Sequence, residues 1–474
     1  MATSVPAGGR CGYFVEKKRR FCRMVAASGK RFCGEHAAAA EEENARKRIL
    51  CPLDPKHTVY EDQLAKHLKK CNSREKPKPD FFIQDINAGL KDETELPEIL
   101  VPLSSLSEEQ LENLIKKLRK ASEGLNSTLP DRIMSHPALH DALNDPKNGD
   151  SATKHLKQQA SILGNIEKLK LLGPRRCFVE FGAGKGKLSH WVDIALKDAE
   201  NVHFILVEKG TTRFKVDGKH RKKNSVFERL QIDIQHLCLN KISVLREGTL
   251  PVVGIGKHLC GVATDLALRC LLETCAVHHE ERHGEPMAKR VKNSETERES
   301  HTVAREGCDN SAPEMQSPVA GIVLALCCHH RCDWRHYVGQ EHFRALGLGA
   351  TEFHYFQRMS SWATCGMRKT VGSSNTTPRR QEQEQEREDE GEEHEIGGCR
   401  ATDDSDGLLG LLSVEEKKKI GHLCKLLIDH GRTQYLQQKG FSPALQYYTD
   451  PLVSLENVLL TALPNPFSPP ETIV

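Results

Sequence analysis

From residue 150 onward, the chain alternates short apolar runs with stretches of helical periodicity. Lys154–Leu171 and Val414–His430 carry apolar residues at helical spacing, whereas the apolar runs between them are short enough to be buried strands. This alternation predicts an α/β domain built on an open, Rossmann-like sheet. The predicted strands are Cys177–Val179, Val202–Val207, Leu230–Ile232, Pro251–Ile255, Gly321–Leu326, Ala444–Tyr448 and Asn457–Ala462.

A capping signal predicts a further helix ahead of this domain. Ser107 and Gln110 have the spacing of a capping box, in which each side chain bonds the backbone of the other residue. Apolar residues then fall on one side of the helix, and we expect that side to pack on neighbouring elements. These residues are Leu111, Leu114, Ile115 and Leu118.

The turn after the first predicted strand is rich in glycine. Residues 179–188 read VEFGAGKGKL, with Gly182, Gly184 and Gly186 in the turn. Glycine permits a positive φ and a close approach to a ligand, and the following helix offers free N–H groups. A dinucleotide fingerprint needs a third glycine where Lys187 stands, so the spacing disfavours a pyrophosphate turn. With Glu180 included, E-x-G-x-G-x-G resembles motif I of class I methyltransferases, which use S-adenosylmethionine.

Acidic residues follow the next two predicted strands. Glu208 ends the second strand, 22 residues beyond Gly186, where a Rossmann-like domain places an acid that binds ribose hydroxyls. Asp233 follows the third strand, at a position suited to the adenine edge. The alternative for Glu208 is a solvated glutamate at a strand end. Glu180, the three glycines, Glu208 and Asp233 are therefore the predicted cofactor residues.

The fourth and fifth predicted strands lead into residues with reactive side chains. Lys257, His258 and Cys260 follow the fourth strand, in the run GKHLCGVATD that ends at Asp265. Because ligands bind at the carboxyl ends of strands in open α/β sheets, we expect these side chains to face cofactor or substrate. The fifth strand delivers Cys327, Cys328, His329 and His330, with Cys332 just beyond. A third structural zinc site is the alternative interpretation of this second run.

Two sets of cysteine and histidine near the start predict zinc modules. Zinc in structural sites takes four thiolate or imidazole ligands. The first set has the spacing C-x10-C-x10-C-x2-H and is interleaved with arginine, lysine and aromatic residues, which could present cations and stacking rings to RNA. In the second set, C-x5-H-x9-H-x3-C, the last two ligands are four residues apart on a predicted helix, Glu61–Cys71. The ligands are Cys11, Cys22, Cys33 and His36 in the first, and Cys51, His57, His67 and Cys71 in the second.

Composition supports metal binding and an anionic partner. The 474 residues include 17 cysteines and 23 histidines, which in a chain without a secretory leader or an apolar membrane segment favour metal sites in a reducing compartment. The net charge is only +3, but residues 1–80 hold 18 Lys and Arg against 10 Asp and Glu. Such a basic surplus suits a polyanion, although a merely soluble surface is the alternative.

These patterns predict four parts of the chain. Residues 1–45 form the first zinc module, 46–76 the second, 77–150 a linker and helical segment, and 151–474 the α/β domain. Lys76–Pro79 has the composition of a linker. Two charged segments poor in core residues, at about 277–317 and 371–406, are predicted to be disordered insertions.

Taken together and in this order, the motifs resemble the eukaryotic tRNA 2′-O-methyltransferases that modify the fourth nucleotide, in the acceptor stem. The resemblance covers both zinc modules, the second of which is similar to CHHC fingers of RNA-processing proteins, and the runs EFGAGKG, KHLCGVATD and CCHH. It implies transfer of a methyl group from S-adenosylmethionine to a tRNA ribose, in the nucleus or cytoplasm.

The reaction itself suggests which residues act. The sulfonium of the cofactor is already a strong methyl donor, so the protein must align it with the ribose and accept the hydroxyl proton. We expect Lys257 and His258 at the reacting oxygen, with Asp265 positioning one of them. The alternatives are a zinc-finger RNA-binding or scaffold protein with a silent methyltransferase domain and, more distantly, a nicotinamide dehydrogenase.

Overall fold

The computed structural model describes residues 9–16, 20–34, 36, 48–71, 73–74, 77–89, 101–125, 128–197, 199–210, 225–246, 250–275, 319–327, 329–364 and 412–466. Both predicted insertions, 277–317 and 371–406, lie outside this part.

The chain divides into two compact units, Met1–Pro79 and Asp80–Val474. The division comes directly after the predicted linker Lys76–Pro79. The described parts of residues 80–150 therefore belong to the larger unit. The predicted domain boundaries stay predictions.

The described residues of the smaller unit form two short antiparallel hairpins and one helical turn. Strands β1 (Phe14–Val15) and β2 (Arg20–Phe21) pair in the first hairpin, and β3 (Arg48–Cys51) and β4 (Asp54–Tyr60) in the second. A 3-10 turn then leads into helix α1 (Leu64–Leu68), which ends before Cys71, earlier than the sequence predicted. Among the described residues of this unit, Cys51, Val59 and Cys71 form one small buried apolar cluster, so the described part of the unit has little core.

The larger unit alternates strands and helices, as the apolar pattern predicted. Its strands are β5 (Arg176–Phe181), β6 (Val202–Glu208), β7 (Val226–Gln231), β8 (Val252–Leu259), β9 (Val319–Leu326), β10 (Phe441–Tyr447) and β11 (Val458–Pro464). Its helices are α2 (Glu108–Ala121), α3 (His140–Leu143), α4 (Asp150–Lys168), α5 (Lys187–Leu196), α6 (Ser243–Arg246), α7 (Ala263–Arg269), α8 (Gln340–Ala345), α9 (Ala350–Met359) and α10 (Val414–Gln438). Within the described residues, no helix combines the length and apolar character needed to cross a membrane.

These seven strands form one sheet in the order β7-β6-β5-β8-β9-β11-β10. All neighbours from β7 to β9 are parallel, and β11 runs antiparallel to both β9 and β10. The chain moves from β5 outward to β7 and then returns to the other side of β5 with β8. The strand order thus reverses between β5 and β8, and such a reversal opens a ligand crevice at the carboxyl ends of the strands. The α/β, Rossmann-like prediction is confirmed.

Apolar side chains cover both faces of the sheet. Alternate residues of β5 enter different clusters: Val179 and Phe181 join α7 and the end of α10 on one face, whereas Phe178 joins α4 and α5 on the other. This two-sided burial explains why the parallel strands read as nearly continuous apolar runs.

Helix α2 packs away from the sheet, in a third apolar cluster with α8, α9 and α10 around Trp334. Its predicted capping box is confirmed, because Ser107 Oγ accepts from the Gln110 N–H and the Gln110 side chain accepts from the Ser107 N–H. The predicted apolar side is also buried, as expected.

A buried ionic cluster ties the end of the sheet to α10. Arg432 donates through Nε and Nη2 to the two carboxylate oxygens of Asp265, at 3.1 and 2.7 Å. Its Nη1 lies 3.0 Å from Asp429, whose Oδ1 is also 2.7 Å from His329 Nε2. Burial alone would raise the pKa of Asp429, but His329, Arg432 and Lys425 together lower it. The carboxylate is therefore kept ionised inside the protein.

Replacing Arg432 should destabilise the larger unit strongly. We expect Arg432→Met to lower its free energy of unfolding by about 3–5 kcal/mol, because both partner carboxylates stay buried without their cation. Urea unfolding followed by tryptophan fluorescence measures this unit selectively, since Trp191, Trp334 and Trp362 all lie in it.

The matched control is Lys117→Met, which removes an ion pair to Glu352 of 2.8 Å in which the lysine side chain is 42% exposed. This control should cost at most about 1 kcal/mol, because solvent screens such pairs. Equal losses in the two variants would contradict the role given to Arg432.

Candidate active site and metal centres

The glycine-rich turn between β5 and α5, which we call the glycine loop (residues 182–186), has the backbone predicted for it. Gly182, Gly184 and Gly186 have φ values of +59°, +49° and +73°, which other residues adopt only with strain. A Cβ at Gly184 would meet no atom within 4 Å, so open space lies beside it. A Cβ at Gly182 would lie 3.1 Å from Leu259 Cδ2 at the end of β8. The loop thus borders the crevice between β5 and β8.

Glu180 anchors the helix that follows the glycine loop. Its buried carboxylate accepts hydrogen bonds from both the N–H and the hydroxyl of Ser189, near the start of α5. An anion at this position satisfies a helix N–H that the helix itself leaves without a partner. These contacts give Glu180 a positioning role for the loop.

Glu208 joins the glycine loop to the end of β6. Its Oε2 accepts from the Gly184 N–H at 2.9 Å, and its Oε1 accepts from the Gly210 N–H at 2.7 Å. Each carboxylate oxygen has a second lone pair, so the group can still accept hydroxyl hydrogens from a ligand. This geometry agrees with the acid expected at the second strand.

Asp233 follows β7 and is half-buried. It lies 2.6 Å from Lys209 Nζ and accepts from the Gln235 N–H at 3.1 Å. Burial would raise the pKa of Asp233, but these two hydrogen bonds and the lysine charge lower it. An ionised carboxylate therefore stands at the third strand end.

Lys257 and His258 lie at a β-bulge near the end of β8. Gly256 pairs with Leu324 and Leu259 with Leu326, so two residues oppose one on β9. His258 takes up the irregularity with a φ of +64°. Bulges of this kind redirect side chains and are frequent beside active sites. The strand continues four residues beyond its predicted end at Ile255, so it carries both side chains to the crevice.

Sequence reasoning did not single out His155, on α4, which contacts both Lys257 and His258. Its Nδ1 lies 2.9 Å from Lys257 Nζ, and its ring meets that of His258 edge-on at 5.8 Å. His155 and Lys257, which form a buried pair, are 102 positions apart in the chain, and no local motif connects them.

Asp265 makes its hydrogen bonds with Arg432 and Val338, and its expected role in positioning Lys257 or His258 stays a prediction. Both of its carboxylate oxygens bond Arg432, and Oδ1 also lies 3.4 Å from the Val338 N–H. Asp265 is in the first turn of α7, where it faces α10. A buried carboxylate takes the partner that can offer two parallel N–H donors, and arginine does so.

The cysteine and histidine residues after β9 take several different positions. Cys327 Sγ lies 3.5 Å from Cys260 Sγ, whereas His329 belongs to the ionic cluster. Cys332 accepts from Arg432, and burial raises the pKa of its thiol to about 12. Among the described residues, which do not include Cys328, metal-sized groups of ligands occur only in the smaller unit. The described residues after β9 therefore give no support to a third zinc site there.

Both predicted zinc sets are assembled in the smaller unit. In each, the four ligand atoms lie within 4.8 Å of one another. Cys11 Sγ and Cys33 Sγ lie 3.5 and 3.3 Å from His36 Nδ1. Ligands bound tetrahedrally at about 2.0–2.3 Å stand roughly 3.3–3.8 Å apart. The first set therefore has the size of a zinc site.

The second set has the same dimensions and an outer partner. Cys51 Sγ and Cys71 Sγ are 3.8 Å apart, and His67 Nε2 lies 3.2 Å from Cys51 Sγ. The Nδ1 of His57 lies 3.6 Å from Asp54 Oδ2. A carboxylate beside the second ring nitrogen is the usual support of a histidine that binds metal through Nε2.

Cations and rings surround the first set. Phe14 is 41% exposed and meets Phe21 edge-on across the β1–β2 hairpin. Arg23, Lys30 and Arg31 are exposed nearby in sequence. This combination of flat rings and positive charge suits nucleic acid.

Three family models match different parts of the chain. The family model described as "Methyltransferase TRM13" matches residues 157–463. The "CCCH zinc finger in TRM13 protein" matches residues 9–37, and the "U11-48K-like CHHC zinc finger" matches residues 48–72. The two finger matches each contain one of the four-ligand sets.

Curated relatives are similar over nearly their whole length. A Homo sapiens protein named "tRNA:m(4)X modification enzyme TRM13 homolog" is 83% identical over 99% of this chain and 98% of its own. A Mus musculus protein of the same name is 81% identical over 97% of this chain and 95% of its own. The Saccharomyces cerevisiae "tRNA:m(4)X modification enzyme TRM13" is 29% identical over 95% of each chain. No solved structure matches the chain significantly.

Removing one ligand from either set should remove one metal ion. We expect two zinc ions per chain in the purified protein, and one each in Cys33→Ala and Cys71→Ala, because a site with three protein ligands binds zinc less tightly. Metal analysis by mass spectrometry measures this. Cys238→Ala, a buried cysteine of the larger unit, serves as the control and should retain two ions. If either ligand variant also retains two ions, the assignment of that set is wrong.

Proposed function

Because the chain belongs to the Methyltransferase TRM13 family, we propose that it methylates tRNA, with S-adenosylmethionine as the donor and the ribose 2′-hydroxyl of the fourth acceptor-stem nucleotide as the acceptor. The glycine loop carries this proposal: three left-handed glycines border a crevice, and one of them, Gly184, donates its N–H to Glu208, the acid at the next strand end. The names of the relatives support tRNA as the substrate class. The atom that receives the methyl group follows from the resemblance described above.

The residues at the crevice fit an adenosine cofactor. The open space beside Gly184 leaves room for a ligand against the backbone. Glu208 retains acceptor capacity for ribose hydroxyls, and the ionised Asp233 can accept from an amino group on the base. Glu180 acts indirectly, by fixing the first turn of α5. The three glycines would hold the cofactor by close backbone approach.

The chemistry leaves two tasks to the protein. When bound, S-adenosylmethionine supplies an activated methyl group. The chain must orient the ribose oxygen and provide a place for its proton, and Lys257 and His258 are the groups at the crevice that can do so. Their position at the β8 bulge, beside the glycine loop, supports this assignment.

The smaller unit is suited to holding the RNA. Its zinc sets would fold modules with little core, and the basic residues and rings around the first set can contact phosphates and unpaired bases. We also infer that the enzyme works in the nucleus or cytoplasm. Every cysteine in the described ranges is free, as expected in a reducing compartment.

The competing function is an RNA-binding scaffold with a silent methyltransferase domain. A silent domain has no physical need for three backbone positions that glycine alone adopts without strain, or for a carboxylate bonded to the loop. Calorimetric titration with S-adenosylmethionine separates the two functions, since a scaffold of this kind would show no binding.

Zinc-loaded protein incubated with labelled S-adenosylmethionine and total tRNA should label one acceptor-stem nucleotide. That nucleotide should resist alkaline cleavage, because the modified oxygen can no longer attack the phosphate.

Lys257→Ala and His258→Ala should each slow the transfer by about 100-fold or more while still binding cofactor. Normal turnover of both variants would rule out the assignment of these two residues. Absence of transfer by the unmodified protein would favour the scaffold.

Glu208→Ala should weaken cofactor binding. We expect the Kd for S-adenosylmethionine to rise about 10- to 100-fold, because the variant loses both an acceptor for the ligand and the bond that holds Gly184. Glu200→Ala is the control, since Glu200 is an exposed acid just before the opposite end of β6. Calorimetry measures both, and equal Kd values would exclude Glu208 from the cofactor site.

A further inference from the structure

His155 and Lys257 form a buried polar pair at the candidate active site. Each residue is 7% exposed, and His155 Nδ1 lies 2.9 Å from Lys257 Nζ. The two residues come from different elements, α4 and β8, so the contact depends on the tertiary fold. A buried amine of this kind costs free energy unless it is hydrogen-bonded.

The pair lies next to the glycine loop. Gly256 pairs with Phe181 on the neighbouring strand, and Lys257 and Gly182 are the residues that directly follow these two. At the end of the same strand, Leu259 reaches to within 3.1 Å of where a Cβ of Gly182 would stand. Lys257 therefore lies beside the loop that would hold the methyl donor.

The protonated form of Lys257 sets the role of the imidazole. An ammonium can only donate, so when Lys257 is protonated His155 accepts through Nδ1 and carries its own proton on Nε2. Two positive charges at 2.9 Å would repel strongly, and the pair therefore holds at most one. His155 thus stabilises the protonated form of Lys257 and aims its Nζ.

The ring of His258 holds the imidazole in this orientation. It stands at 88° to the His155 ring, with the centroids 5.8 Å apart, an edge-to-face arrangement. The left-handed backbone of His258 brings its ring to this position instead of continuing the strand alternation. The bulge in β8 therefore places the His258 ring against His155, in addition to carrying Lys257 and His258 to the crevice.

We propose that His155 is the positioning residue for Lys257 during methyl transfer; this inference rests on the proposed function. The lone pair of the 2′-oxygen forms the bond to the methyl carbon. The bond between sulfur and that carbon breaks, and its electron pair remains on sulfur, which becomes an uncharged thioether. The hydroxyl proton passes to the neutral amine of Lys257. The ammonium so formed donates to His155 Nδ1, which removes the cost of burying the new charge.

The test measures single-turnover methyl transfer to tRNA against pH, with cofactor affinity measured in parallel. His155→Ala should lower the plateau rate by about 10- to 100-fold, with the cofactor Kd within about twofold of the unmodified protein. Its pH midpoint should move downward, because loss of the acceptor disfavours the ammonium, and the amine is then neutral at lower pH. His155→Gln keeps an oxygen acceptor for Nζ and should recover most of the lost rate.

A double variant separates positioning from general support of the fold. Because His155 acts through Lys257, adding His155→Ala to Lys257→Ala should cause no further loss. His136→Ala removes another buried histidine, which caps a 3-10 turn, and should leave the pH midpoint unchanged.

An unchanged midpoint in His155→Ala, or a fully additive loss in the double variant, would overturn the inference. Failure of glutamine to recover the rate would also count against it, and this variant applies even if the alanine variant folds poorly. A lack of transfer by the unmodified protein would instead overturn the proposed function.

Discussion

The larger unit depends on the buried ionic cluster around Arg432. Its members come from three stretches of the described chain, 250–275, 319–364 and 412–466, which are far apart in sequence. Asp265 stands after β8, His329 after β9, and Asp429 and Arg432 on α10. Two carboxylates cannot remain buried without this guanidinium, so the three stretches must meet at one place. The carboxyl ends of β8 and β9 are thereby fixed beside each other, which is a condition for the crevice.

The glycine loop depends on carboxylates in a similar way. The loop contains three left-handed glycines in five positions. Ordering them is costly, because glycine loses more conformational entropy on folding than any other residue. Glu208 bonds one of these glycines, and Glu180 bonds the first turn of the helix behind them. Glu208 therefore bonds the loop itself, and Glu180 bonds the helix that directly follows it. This explains how acids that are predicted to serve a cofactor can also have structural partners before any ligand binds.

Features that depend on interactions within a few residues could be predicted from the sequence, whereas features that depend on contacts between distant residues could not. The capping box at Ser107 and the positive φ values of the glycines are decided within a few residues, and the structure confirms them. Apolar runs predicted the strands because burial on both faces of a parallel sheet leaves a continuous signal. By contrast, the partners of Asp265 and Lys257 lie 167 and 102 residues away. No short pattern specifies such contacts, so neither the ion pair of Asp265 nor the contact of His155 with Lys257 could be predicted from the sequence.

The His155–Lys257 pair and the Asp265–Arg432 ion pair lie on opposite faces of the sheet around β8. The charges that stabilise the fold are therefore kept apart from the candidate catalytic charge. His155 comes from α4, whose apolar residues pack on the face lined by Val253 and Ile255. Asp265 and Arg432 come from α7 and α10, whose residues pack on the other face. A guanidinium close to Lys257 would oppose its protonation, because like charges in a poorly solvated site repel strongly. The sheet keeps the permanent cation with its two carboxylates and leaves Lys257 with a neutral imidazole. Lysine can then gain and lose a proton without disturbing the ion pairs on which the fold depends.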